Sequence, residues 1–119
     1  MEVINNNTLN RFRFLHNCQW CGRPTPSSTE PHHYWFTRGM GGGSRIDLAI
    51  NLIGLCWDCH HVDVPSGRIT REDFLAVVAA REGLLQDEIR EALRDIRNLP
   101  KDSTIEEAFK LVPRRKIKC

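Results

Sequence analysis

Two Cys-x-x-Cys pairs, Cys18-Gln-Trp-Cys21 and Cys56-Trp-Asp-Cys59, account for four of the five cysteines. Two intervening residues let both sulfurs of a pair turn toward one ion. Two such pairs complete a tetrahedral thiolate site for Zn2+, with Zn–S bonds of about 2.3 Å. Gly22, directly after the first pair, gives the backbone the freedom such a knuckle needs. Four thiolates leave no open position, so the expected site is structural, tying residue 18 to residue 59. The competing readings are free buried thiols or, in an oxidising compartment, disulfides. Cys119 is left over at the terminus.

The histidines carry a different chemistry. His32-His33 and His60-His61 are tandem pairs with Asn51 between them, and the second pair follows Cys59 directly. Imidazole titrates near neutral pH and is a good ligand for borderline metals. Adjacent residues on a strand point to opposite faces, so His32 and His33 are expected to do different jobs, one binding metal while the other meets substrate.

Those residues must be positioned by short elements. Pro31 to Thr37 is rich in aromatics and predicts a strand, Arg38 to Ser44 a glycine-rich turn, Leu48 to Leu55 a second strand, and Cys56 to Asp63 a short helix ended by Pro65 and Gly67. Residues 70–112 read as helical. Thr70 is an N-cap with Glu72 and Asp73 in the first turn, and Gly83 is the stop. A second helix is predicted from about Leu84 to Asn98, with Leu85, Ile89, Leu93 and Ile96 on one stripe. A third is capped by Ser103 or Thr104. Residues 1–17 read as a polar lead-in whose Phe12, Phe14 and Leu15 pack on the core. Trp20, Trp35 and Trp57 are also assigned to the core. The expected fold class is α+β, a single domain over residues 1–119. Within it, residues 18–67 form the motif-bearing core and residues 70–112 a helical C-terminal part.

Composition agrees with a globular chain: 119 residues, 40% hydrophobic and 27% charged. No run approaches the roughly 18 apolar residues of a membrane span, and no signal peptide is visible, so a cytoplasmic protein without membrane contact is expected. The net charge of +2 is a weak pointer to a polyanion. However, Arg11, Arg13, Arg23, Arg38 and Arg45 lie in an acid-poor half, and Arg114, Arg115, Lys116 and Lys118 end the chain.

Together, Cys18-x-x-Cys21, His32-His33, Arg38-Gly39, Gly42-Gly43, Asn51 and Cys56-x-x-Cys59-His60 resemble the HNH endonuclease family. The resemblance covers about residues 18–67. It implies a ββα-metal core with a four-cysteine zinc site and metal-dependent hydrolysis of DNA phosphodiester bonds. It places His33 as the general base, His32 and His60 as ligands of one catalytic divalent metal, and Asn51 as either an orienter of the base or part of the metal shell. If the register is offset, His32 and His33 exchange roles. Arg38 is either a phosphate clamp or a brace for the glycine loop. The metal is expected to be Mg2+ or Mn2+, with Co2+ and Ni2+ as further options because imidazole favours transition metals. Colicin-type nucleases of this family carry another histidine where Val64 stands here. His61 is extra, and either replaces that ligand, contacts phosphate or faces solvent. Small stand-alone members resemble phage and prophage proteins, which implies packaging or recombination proteins as partners. The alternative is a non-catalytic zinc-binding adaptor for DNA or protein, which needs neither His33 nor Asn51.

Overall fold

The computed structural model describes residues 2–25, 29–37 and 45–114. Its first element is a helix, α1 (Asn6–Arg13), where a polar lead-in was expected. Asn5 caps it by accepting the Thr8 N–H, and Leu9 and Phe12, three residues apart, form its buried face. The run of asparagines, poor helix formers in mid-chain, obscures this helix in the sequence. The same periodicity turns Phe14 outward, so that ring is exposed and not in the core as anticipated.

Two antiparallel strands follow, β1 (Glu30–His33) and β2 (Leu52–Leu55), with Glu30 opposite Leu55, Pro31 opposite Gly54, His32 opposite Ile53 and His33 opposite Leu52. Both strands are shorter than the apolar runs suggested. The N–H groups of Trp35 and Phe36 bond to the side-chain oxygen of Asn51 instead of to a neighbouring strand. Upstream of β2, Ala49–Asn51 close into a 3-10 turn, with the Asn51 N–H on the Leu48 carbonyl.

All four residues of β2 are buried because both sides of the sheet are covered. Leu52 packs with Leu9 and Phe12 of α1. Ile53 and Leu55, on the other face, join the main core with Phe74, Leu75 and Val78 of α2 (Arg71–Glu82) and Ile89, Leu93 and Ile96 of α3 (Gln86–Arg97). The helical part matches expectation closely. Thr70 and Asp73 form a capping box, and Gly83 ends α2 in the left-handed region at φ 68°, where glycine carries no Cβ penalty. Thr104 caps α4 (Ile105–Leu111), which closes the described chain. The result is a small α+β domain, and among the described residues no helix is long and apolar enough to cross a membrane.

Arg81 of α2 ties these layers together. Its half-buried guanidinium donates to the carbonyls of Ala49 and Leu52 and to the Gln19 side chain, and stacks over Phe12.

Candidate metal centre and histidine cavity

The two Cys-x-x-Cys segments meet as the spacing predicted. Cys18, Cys21, Cys56 and Cys59 place their sulfurs within 4.8 Å of one another. Cys21 Sγ and Cys56 Sγ are 3.8 Å apart, too far for a disulfide and close to the edge of about 3.8 Å expected for a tetrahedron with bonds of about 2.3 Å. The first pair sits in a knuckle. The Gly22 N–H bonds to the Cys18 carbonyl, and Gly22 adopts φ 76°, the left-handed conformation that favours glycine. Backbone N–H groups of Trp20 and Cys21 point at Cys18 Sγ from 3.4 and 3.5 Å. Burial pushes the Cys18 thiol up, but these and other N–H donors outweigh it and bring it down to about 7. Such N–H···S contacts stabilise a thiolate. The knuckle is fastened to β2 by Gln19, whose N–H donates to the Gly54 carbonyl while its side-chain oxygen accepts the Gly54 N–H. The donor set fits a structural metal ion such as zinc.

After Cys56 the chain turns helically and widens into a π-helical segment, Cys59–Asp63, with the Val64 N–H bonded to the Cys59 carbonyl. The two cysteines face the sulfur cluster, which leaves Trp57 outward and exposed, contrary to its assignment to the core. The wide turn brings two adjacent imidazoles to one carboxylate: His60 Nδ1 and His61 Nε2 both bond to Glu30 Oε2, the latter at 2.8 Å. Glu30, His60 and His61 offer ligand atoms within 4.8 Å of one another, a second group able to hold a metal ion. Burial raises the Glu30 carboxyl, but the two histidines outweigh it and hold it below the usual carboxylate range.

His32 is two residues from Glu30 on β1 and shares its face. Its ring lies 4.8 Å from that of His60 and edge-on to Phe74 at 5.6 Å. Burial, aided by His60 and His33, lowers its pKa to about 4, so it is neutral at neutral pH and able to donate a lone pair.

His33 points to the other face. Its Nε2 donates to Asp47 Oδ1 at 2.7 Å in a buried contact. Asp47 also accepts from Arg45 and from the Asn5 N–H. Burial alone would raise its carboxyl, but Arg45, His33 and the Asn5 amide hold it below the usual range. An ionised Asp47 accepts only, which fixes Nε2 of His33 as the protonated nitrogen. The partner that holds this ring is thus a buried carboxylate.

His32, His33, His60, His61 and Glu30 all line one cavity of about 690 Å3, with Leu9 and Arg13 of α1 and its C-cap Phe14 on the wall. Residues from both faces of β1 reach it, so it runs along the strand edge that β2 leaves open. Adjacent histidines can therefore serve one site despite opposite orientations.

Asn51 does not line this cavity. It is fully buried, accepts from Trp35 and Phe36, and donates to the carbonyls of Phe36 and Ile46. It shapes the chain leaving His33. Arg38, the glycine loop and the tail from residue 115 lie outside the described residues.

Glu30 and Asp47 escaped the sequence reading. Glu30 was legible in principle, because a carboxylate two residues before His32 on a strand shares its face. Asp47 lies fourteen residues from its partner, across the glycine-rich segment, and carries no local signal.

Compared with known proteins, the chain matches no family model, no curated protein and no solved structure.

Proposed function

We propose that this chain is a metal-dependent endonuclease of the HNH type that hydrolyses phosphodiester bonds in DNA. The observation that carries this reading is the meeting of His32, His33, His60 and His61 around one cavity, with Glu30 among them. The order of strand, strand and helical turn, beside a four-cysteine cluster, agrees with the ββα-metal core that the sequence resemblance implies.

Glu30, His60 and His61 would hold the catalytic divalent ion, with neutral His32 beside them as a further donor. When bound, such an ion neutralises charge on the phosphate as the P–O bond breaks. His33 takes the proton from the attacking water. Asp47 holds the ring in one orientation and stabilises the imidazolium that results, as a carboxylate does for a catalytic histidine generally. Asn51 keeps the backbone after His33 in place, and Arg13 at the cavity wall faces the anionic strand. The four cysteines hold Zn2+ and anchor the turn that carries His60 and His61.

Incubation with supercoiled plasmid tests this. Nicked or linear product should appear with added Mg2+ or Mn2+ and not without, at constant zinc content. A zinc adaptor would leave the plasmid intact under every condition.

A further inference from the structure

Two aromatic rings stand in water beside the cavity, and the reaction proposed above uses neither. Phe14, at the C-terminal cap of α1, is 73% exposed and lines the cavity. Trp57 is 63% exposed, and its indole leans on His61 with ring centroids 4.8 Å apart and planes inclined by 34°. Single exposed apolar residues are ordinary, but one ring on the cavity wall and a second packed on a histidine of that wall make a surface that a ligand would cover.

The surroundings narrow the chemistry of that ligand. Arg13 lines the same cavity, and the one carboxylate among the described lining residues, Glu30, is already engaged by two imidazoles. An anionic ligand with flat π-faces fits this combination of side chains. An intact duplex hides its base faces within the stack, whereas an unpaired strand presents them to aromatic side chains. Phe14 caps α1 and Trp57 lies in the helical turn after Cys56, so bases would meet platforms on separate elements.

We propose that Phe14 and Trp57 stack on the bases flanking the scissile phosphate, so that this site takes single-stranded or locally unpaired DNA in preference to intact duplex. The proposal rests on the nuclease reading of the same site and names its substrate form.

The test is binding, read separately from cleavage. The zinc-loaded full chain, without added catalytic metal, is titrated into a short fluorescein-labelled single strand and into the same sequence as a blunt duplex, with anisotropy as the readout. The single strand should bind at least about tenfold more tightly. Phe14→Ala and Trp57→Ala should each weaken single-strand binding by about fivefold to about a hundredfold, the range that loss of one stacked base gives. Duplex binding should hardly change, and Trp57→Phe should retain most of the single-strand affinity. Both side chains are exposed, so unchanged zinc content and melting temperature will verify that the variants fold. Equal affinity for the two DNA forms, or variants that bind the single strand like the parent, would overturn the stacking proposal even if plasmid is cut. Absence of binding to both forms would likewise overturn the stacking proposal, while the plasmid assay with added metal decides the nuclease reading separately.

Discussion

His33 and Asp47 form a buried pair, with Nε2 of the imidazole 2.7 Å from Oδ1 of the carboxylate and Arg45 donating to both oxygens of the same carboxylate. The pair joins β1 to the segment after the glycine loop. It gives a histidine at the cavity a fixed ring orientation and a nearby negative charge, which makes an imidazole a better proton acceptor.

Asp47→Asn should therefore weaken His33 as a proton acceptor, and the maximal cleavage rate per folded molecule should fall by about tenfold or more. A merely structural aspartate would lower the amount of folded enzyme and leave the rate of the folded fraction unchanged. Stability carries its own signature. Because the Asp47 carboxyl is held below its ordinary value of 3.8, its contribution is fully present above that pH and is lost as pH falls toward the folded-state value. Urea titrations from pH 6 downward should show the parent losing this increment, and Asp47→Asn, already without it, should lose correspondingly less.

The sulfur cluster predicts coupled losses. Cys56→Ser removes one of the four thiols around a tetrahedral site. Zinc content should fall, and the melting temperature should drop by about 10 °C or more. Elemental analysis and calorimetry on the same preparation check both. Unchanged stability would refute an anchoring role.

Glu30 holds both His60 and His61. Glu30→Gln keeps the shape and removes the charge, so the Mn2+ concentration for half-maximal cleavage should rise by about tenfold to a hundredfold. Zinc content should stay constant. An unchanged Mn2+ requirement would remove Glu30 from the metal's surroundings.

Asn51→Ala should act as a packing and hydrogen-bond lesion. It deletes a side chain that satisfies two backbone N–H groups and two carbonyls in a fully buried setting. A loss of about 2–4 kcal/mol in denaturant-measured stability is expected. The Mn2+ requirement of the folded fraction should stay near that of the parent. A large rise in that requirement would place Asn51 in the metal shell after all.

The sequence disclosed the parts governed by local rules. The Cys-x-x-Cys spacing foretold the sulfur cluster, and the caps at Thr70, Gly83 and Thr104 foretold the helix ends, because each depends on residues within one turn. Strand lengths were misjudged because Asn51 captures amides that a strand partner would otherwise take, and nothing near residues 35 and 36 announces this. Helix α1 was hidden because its polar asparagines mask an apolar stripe of only Leu9 and Phe12. The exposed positions of Phe14 and Trp57 follow from geometry once a helix and a cysteine knuckle are assumed. Asp47 was beyond local reasoning, since it meets His33 only through the tertiary fold.

The most direct measurement is plasmid cleavage by the parent and by His33→Ala, with Mn2+ and at matched zinc content. Parent protein that converts supercoiled plasmid to nicked or linear forms, beside a folded variant slower by about a hundredfold or more, is the predicted result. A folded His33→Ala variant that cuts as fast as the parent would contradict the account.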